Sequence, residues 1–298
     1  MVKFSIRKQE KMTALSGIEI GIRSLLGAHQ ALITQQSEKK RVEGFEELLF
    51  DCIDYIGEKK KPELTLNNIK RLLEGDRKHI LIRIRQLSNN HDPLFIFDYE
   101  FPTEDGKKLK ERKTVDFNYT NFPVKPYYWV RNEMESQSGA VTHPEGDRAG
   151  ELTGLSDGGN IPVMFTDYSE ILEKYKEQKF VLPESGVTVI YNLLIAEETA
   201  KFATALVKER INSHTQIQMH APVYIDDDLS VNRDKPVRIP VPLDQLTHTD
   251  IEALRKDMME KEGSVDSQIV VQYKEDRTKQ SEIDLVSMPA FFFPSLVL

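Results

Sequence analysis

The chain has 298 residues, of which 39% are hydrophobic and 30% are charged, and it carries a formal net charge of -8 with a pI near 5.5. These proportions are typical of a globular protein and exclude a collagen-like chain, a coiled-coil rod and a mostly disordered chain. The acidic balance argues against non-specific nucleic-acid binding, because such binding needs a basic surface that displaces counterions from phosphates. We therefore expect no nucleic-acid partner.

The start of the chain and its cysteine content predict a protein made in the cytoplasm. MVKFSIRKQEKM has no apolar stretch of signal-peptide length after its basic residues. No window reaches the roughly 20 apolar residues of a membrane helix, so membrane insertion is not expected. The single cysteine, Cys52, excludes an internal disulfide and a cysteine-rich zinc site. Its apolar neighbours favour a small core residue over a nucleophile.

The first predicted elements are a β-hairpin and three helices. The hairpin combines the strands VKFSI and IEIGI across the long connection RKQEKMTALSG. Helical spacing of apolar residues follows in SLLGAHQALITQQ and in VEGFEELLFDCIDYI. A third helix begins near Leu64, where Thr65 or Asn67 is a candidate N-cap. The next run, DRKHILIRIRQLS, fits either a helix or a strand.

A second hairpin is predicted before the only tryptophan. LFIFDYEF alternates like a half-buried strand and pairs with TVDFNYTNF across TEDGKKLKERK. The aromatic segment that follows contains Tyr127, Tyr128 and Trp129. Tyr and Trp dominate binding hot spots but also anchor cores, so both roles stay open for this segment. We take these three residues as candidates for partner binding.

A polar segment over residues 132–160 separates two expected modules. It is rich in Gly and Ser and lacks an apolar face, which is typical of a flexible linker. The expected fold class is therefore α+β, with a first module over 1–131 and a second over 161–298. Each module is expected to contain a β-hairpin, then helices, then a terminal β-hairpin or strand.

An internal repeat relates the two modules. Ser16-Gly17-Ile18-Glu19-Ile20 recurs as Ser185-Gly186-Val187-Thr188-Val189, and a second echo joins 64–69 to 246–251. The separation grows from 169 to 182 residues, so the second copy contains an insertion, which we place in IDDDLSVNRDKPVRIPVP. Two echoes in the same order favour duplication of one unit. In the second copy, KFVL and VTVIY flank PESG in the pattern of a hairpin.

The C-terminal segment MPAFFFPSLVL is strongly apolar and contains two prolines that interrupt any helix. Such a segment is not expected to stay in water, so it either folds back over the second module or adds to a groove of a partner. We favour the partner. The candidate partner-binding residues of this segment are Phe291, Phe292, Phe293, Leu296 and Leu298.

No residue pattern indicates catalysis. His214 and His220 are six residues apart with no carboxylate between them, and Asp226-Asp227-Asp228 lacks the alternate spacing and the Gly of a hard-cation loop. The chain has no phosphate-binding loop and no nucleophile elbow. We therefore expect no enzyme activity, no catalytic residues, no metal and no cofactor. A metal-dependent hydrolase that uses the aspartate run and His220 is the weakest alternative.

The LPESG-like hairpin turn, the LT-x-x-D-I helix start, the HILIRIRQLS run and the FDYEFP strand together suggest a family. Their order resembles that of baseplate proteins of T-even-type contractile-tailed bacteriophages, in particular the baseplate hub assembly subunits. The resemblance covers most of 3–102 and extends more weakly over 165–290.

The resemblance implies a non-enzymatic component of a phage tail baseplate, or of a related contractile injection device, that joins or assembles hub and wedge proteins. Its partners would be other tail and baseplate proteins, in an assembly that holds multiple copies, and its location would be the virion. A transient cytoplasmic tail-assembly chaperone or adaptor is the main alternative.

Overall fold

The computed structural model describes residues 7–34, 38–88, 94–102, 108–116, 123–138, 161–197, 224–226, 238–240, 246–274, 276, 278, 280–287 and 289–292. These residues form both helices and antiparallel strands, which confirms the α+β class.

The first sheet is a four-stranded meander in the order β1-β2-β3-β4. Its strands are β1 (Gln9–Thr13), β2 (Glu19–Arg23), β3 (Ile53–Ile56) and β4 (Lys59–Lys60), and helices α1 (His29–Ile33) and α2 (Glu38–Cys52) connect β2 to β3. Gly17 allows the tight β1–β2 turn because its φ of 83° lies in the left-handed region. This turn brings Met12 opposite Ile20, so the strand that pairs with β2 is QEKMT, inside the predicted connection. The predicted strand VKFSI lies outside the described residues.

Two helices follow the first sheet, α3 (Leu66–Lys70) and α4 (Glu74–Ser88). Thr65 is the N-cap of α3, as predicted, and its N–H donates to the Asn68 side chain at 2.9 Å. The ambiguous run HILIRIRQLS is helical and lies within α4. Its apolar residues surround the helix instead of following one stripe, because α4 is buried on most of its surface.

The second hairpin consists of β5 (Leu94–Pro102) and β6 (Lys108–Asp116). Strand β6 begins inside the predicted connection, six residues before TVDFNYTNF. The observed register places Asp98 opposite Arg112 and Glu100 opposite Lys110. Both pairs form ion pairs, at 3.0 and 3.4 Å, and such cross-strand pairs favour one register over its neighbours.

The rest of the described chain continues the alternation of helices and strands. Its elements are β7 (Val124–Lys125), α5 (Tyr128–Ser138), α6 (Tyr168–Tyr175), β8 (Glu177–Val181), β9 (Thr188–Asn192), β10 (Tyr224–Asp226), β11 (Arg238–Pro240), α7 (His248–Lys261), β12 (Ser264–Val265), β13 (Gln268–Gln272), β14 (Gln280–Asp284), a 3-10 turn (Leu285–Ser287) and α8 (Pro289–Phe292). Strands β8 and β9 pair antiparallel, which confirms the hairpin predicted around PESG.

The second four-stranded sheet has the topology of the first. Its order is β11-β10-β9-β8, so β8 to β11 again form a meander with the first hairpin strand at an edge. Gly186 has a φ of 71° in the β8–β9 turn, and it is the residue that the sequence echo pairs with Gly17.

The described residues up to 138 are called the first half below, and those from 161 on the second half. A carboxylate caps the hairpin turn in each half. Asp76, the third residue of α4, accepts a hydrogen bond from the Ser16 N–H at 2.9 Å. Asp250, the third residue of α7, accepts one from the Glu184 N–H at 2.8 Å. These matching contacts identify α7 as the counterpart of α4. The sequence echo at 64–69 lies instead at the start of the shorter helix α3. The two halves share a hairpin–helix unit, and their origin by duplication stays a prediction.

A single cluster of buried side chains spans both halves, so the first half does not bury a core by itself. The cluster includes Leu15 and Leu73 from the first half together with Ile171 and Leu254 from the second. Strand β7 also pairs with β12 across the halves. The predicted linker begins later than residue 132, because residues 132–138 belong to α5. The remaining linker positions, 139–160, lie outside the described residues.

Candidate functional site

The aromatic segment before α5 lies in the core, at the junction of the two halves. The Trp129 ring is stacked between Tyr127, at 4.7 Å between ring centres, and Tyr175 of α6, at 4.3 Å. Its Nε1–H donates to the Ser16 carbonyl at 3.1 Å. Tyr127 is 2% exposed and Trp129 is 4% exposed, whereas Tyr128 is half-buried at the edge of the cluster. Of the two roles left open for this segment, stacking and burial favour the core for Tyr127 and Trp129, and partner binding by the three residues stays a prediction.

The apolar C-terminal segment folds back onto the first half, where Phe291 and Phe292 are almost fully buried. The Phe292 ring lies 5.5 Å from that of Phe45 in α2. The Phe291 carbonyl accepts a hydrogen bond at 3.0 Å from Nε of Arg85, whose side chain is inaccessible to solvent. These two rings are therefore covered by their own chain, and the fold-back reaches the first half where the alternative prediction had the second. Partner binding by this segment stays a prediction. The other three candidates, Phe293, Leu296 and Leu298, lie outside the described residues.

Asp76 is the centre of a buried polar network that joins the halves. Besides the Ser16 N–H, it accepts a hydrogen bond at 2.8 Å from the hydroxyl of Tyr168, the first residue of α6. That hydroxyl in turn accepts from the Leu73 N–H at 2.7 Å. Burial raises the pKa of Asp76 to about 6, although the hydrogen bonds from Ser16 and Tyr168 oppose the shift. A carboxyl in this position connects the halves through its hydrogen bonds to Ser16 and Tyr168.

Asp250 makes similar contacts with the opposite electrostatic outcome. Burial raises its pKa, but hydrogen bonds from the Glu184 and Ser185 N–H groups and from Thr247 outweigh burial, so the pKa is lowered overall. The hydrogen bonds of Asp250 therefore compensate its negative charge, whereas those of Asp76 compensate its charge incompletely.

The described residues bring one group of metal-ligand types together: His29, Asp51 and Cys52, with ligand atoms within 4.8 Å of one another. Arg7 occupies this group, because its guanidinium donates to Asp51 Oδ2 at 2.6 Å and to Cys52 Sγ at 3.1 Å. His29 Nδ1 accepts from the Leu26 N–H at 3.0 Å, so Nε2 carries the proton and donates to Asp51. A cation here would have to displace the guanidinium and one of these hydrogen bonds, so the geometry favours a structural network.

Cys52 is a poor nucleophile in this setting, because burial raises the pKa of its thiol to about 12. We expect a thiol reagent to modify no cysteine in the folded protein at pH 8 and one cysteine after denaturation in urea. Absorbance of the released thiol leaving group measures both. Rapid modification of folded protein, at the rate of a free thiol, would contradict this assignment.

The remaining candidates for catalysis do not form a described site. His214, His220, Asp227 and Asp228 lie outside the described residues, and Asp226 ends β10. A cleft beside the start of α6 is lined by Lys59, Arg71 and Asp167 among others, and its volume is about 30 Å³. That is room for about one water molecule and not for a substrate.

Comparison with known proteins gives no relative: no protein-family model, no curated protein and no solved structure matches the chain. Among the described residues, none of the helices is both long enough and apolar enough to cross a membrane. Asp76 and Arg85, two of the buried ionisable residues at the junction, were not identified from the sequence. Neither residue belongs to a recognisable sequence motif, because the partner of Asp76 is 60 positions away and that of Arg85 is 206 positions away.

Proposed function

We propose that this protein is a non-enzymatic structural or assembly component of a phage tail baseplate, or of a related contractile injection device. Its role is to join or assemble hub and wedge proteins, and its location is the virion. The proposal rests on the motifs that resemble baseplate hub assembly subunits.

The contacts that those motifs make in the fold support the proposal. The backbone N–H groups of Glu184 and Ser185 in the LPESG-like turn donate to Asp250, the acidic residue of the LT-x-x-D-I helix start. The HILIRIRQLS run forms the part of α4 that packs between the halves. The motifs therefore act together as a scaffold, which is what a joining protein requires.

The chemistry of the described residues also favours a structural role. Three residues with a thiol or phenol group are in positions that keep the group protonated: burial raises the pKa of Cys52, Tyr127 and Tyr168. Asp76 has no access to solvent and is already bonded to Ser16 and Tyr168. A substrate cannot reach these groups in the folded protein.

Two truncations test the part played by the C-terminal segment. A chain that ends at residue 287 loses Phe291 and Phe292, and we expect it to unfold or aggregate, because removing a buried Phe costs about 3–5 kcal/mol. A chain that ends at residue 292 keeps both rings and removes only Phe293 to Leu298. We expect this longer chain to keep the thermal midpoint of the full protein and to lose co-purification with neighbouring tail proteins.

The readout is size-exclusion chromatography with light scattering of each chain, co-expressed with the products of adjacent genes. A full-length protein that stays monomeric beside every neighbour would overturn the proposal. If the chain that ends at residue 292 still enters the complex, the last six residues do not form the contact, and the proposal stays intact. Mass spectrometry of purified particles separates a resident component from a transient chaperone, which would be absent.

A further inference from the structure

The contact between the two halves contains a short antiparallel β-bridge. Leu73, just before α4, pairs with Ile195, just after β9. The Glu74 N–H donates to the Leu194 carbonyl at 2.9 Å, and the Ala196 N–H donates to the Leu72 carbonyl at 2.8 Å. The first half thus contributes the start of its long helix, and the second half contributes the segment that leaves its hairpin. These are different parts of the shared unit, so the contact is head-to-tail.

The first half has its own counterpart of the hairpin exit, and this counterpart is exposed. Strands β2 and β9 both begin two residues after the turn glycine and both contain five residues, so Leu25-Leu26-Gly27 takes the place of Leu194-Ile195-Ala196. Leu26 is 44% exposed, whereas Ile195 is 7% exposed. Within the described part of the chain, no hydrogen bond uses the Leu25 carbonyl or the Gly27 N–H.

The second half has the complementary counterpart at the start of α7. Asp76 and Asp250 are the third residues of α4 and α7, so Leu246-Thr247-His248 takes the place of Leu72-Leu73-Glu74. Thr247 and His248 are exposed. Considering the described residues only, the Leu246 carbonyl and the His248 N–H also take part in no hydrogen bond.

We propose that these two surfaces bind each other between copies of this chain, so that the protein associates head-to-tail with a second copy of itself. Leu26 of one copy pairs with Thr247 of the next. The Gly27 N–H donates to the Leu246 carbonyl, and the His248 N–H donates to the Leu25 carbonyl. The internal bridge between the halves is the example for this pairing, because there a helix start of the same kind binds a hairpin exit of the same kind. The proposal rests on that bridge and is independent of the function proposed above.

A head-to-tail contact has a defined consequence for assembly. A dimer formed in this way still has one unpaired surface of each kind, so association continues until a ring closes or an open chain forms. The contact is small, and inside the chain it benefits from the covalent connection between the halves. Between separate copies we expect weak association, which strengthens where a larger structure holds copies side by side.

Disulfide trapping suits such a weak contact. In the internal bridge the two hydrogen bonds flank the pair Leu73 and Ile195, and the Cα atoms of such a pair lie about 4.5 Å apart, within disulfide range. The full chain with Leu26→Cys and Thr247→Cys should therefore give, on mild oxidation, a ladder of dimers, trimers and larger species on a non-reducing gel. Cys52 is buried and serves as a constant background. A chain with Leu73→Cys and Ile195→Cys should close a disulfide within itself, which verifies the geometry.

Three controls make the outcome decisive. Pairing Leu26→Cys with Met259→Cys, a residue that is 56% exposed on α7, measures random collision. Adding His248→Pro to the trapping chain removes one donor; Pro suits the first position of a helix, and Thr247 already has the ψ of 158° that a following Pro requires. Thermal melts verify that each variant folds, since Thr247→Cys removes a helix cap.

We expect the ladder to exceed the Met259 control at least tenfold and to fall to the level of that control with His248→Pro. Mixing the Leu26→Cys chain with the Thr247→Cys chain should give heterodimers and no larger species. A yield no higher than the control, a ladder that His248→Pro leaves unchanged, or a dimer that never extends would each overturn the proposal.

Discussion

Replacing Trp129 by alanine is expected to lower the free energy of unfolding by about 3–5 kcal/mol, the range for deleting a buried large aromatic ring. The ring is stacked between Tyr127 and Tyr175, and its Nε1–H donor would be lost together with both stacking contacts. Proteins of this kind have a total stability of about 5–15 kcal/mol, so the variant would lie close to unfolding. Urea denaturation followed by circular dichroism measures the change.

Met259→Ala is the matched control, because that side chain is 56% exposed and should change the unfolding free energy by no more than about 0.5 kcal/mol. The experiment also distinguishes the two roles that the sequence leaves open for the aromatic segment. If Trp129→Ala unfolded at the same urea concentration as the parent protein and lost only a partner, the tryptophan would be a binding residue and its assignment to the core would be wrong.

The second large effect concerns Asp76→Asn and its dependence on pH. Burial raises the pKa of Asp76 from an ordinary 3.8 to about 6, so the folded protein holds this proton more tightly than the unfolded chain does. The resulting stabilisation is fully present below pH about 4 and is lost as the pH rises through about 6. A shift of about two pKa units corresponds to roughly 3 kcal/mol between these limits. Asp76→Asn cannot titrate and should lack this component.

We therefore expect the unfolding free energy of the parent protein to fall relative to that of Asp76→Asn as the pH rises from 4.5 to 8, by about 2 kcal/mol. Urea denaturation at several pH values gives both curves. Other ionisable groups contribute to each curve, but they cancel in the difference. The tyrosines beside Asp76, Tyr127 and Tyr168, do not titrate in this range because burial raises their pKa.

Asp250→Asn provides a control of opposite sign. Its pKa is lowered, so its contribution is present above the ordinary carboxyl pKa and disappears as the pH falls through the lowered value. The Asp250→Asn curve should lie below that of the parent protein at neutral pH and approach it in acid, below pH about 4. Parallel curves for the parent protein and Asp76→Asn would rule out the raised pKa at the junction.

Local patterns predicted the parts of the fold that depend on neighbouring residues. The Ser-Gly echo marks two turns whose glycines have positive φ, and the run around PESG predicted the β8–β9 hairpin. Thr65 was one of two helix caps, with Asn67, that the residue types predicted, and it is the one observed. In each case the deciding interaction joins residues a few positions apart, so it leaves a readable pattern.

The sequence was less informative where distant residues decide the structure. Helix α4 resembles a strand in its sequence because it is buried on most of its surface, and the partners that bury it include distant segments, strand β12 and the C-terminal segment, as well as β2. Trp129 carries no indication of its stacking partner Tyr175, which follows a long polar segment. Four of the candidate partner-binding residues, Tyr127, Trp129, Phe291 and Phe292, are core residues, because apolar side chains look alike in a sequence whether their own chain or another one covers them.

The position of Arg85 has a consequence for the synthesis of the protein on the ribosome. Its partner, the carbonyl of Phe291, is made 206 residues later, after nearly all of the described fold has emerged. Until then the growing chain exposes a cationic side chain and the ring of Phe45 at a site that later becomes dry. The first half therefore completes its packing only late in synthesis, and before that point the uncovered ring of Phe45 offers a binding site to a chaperone.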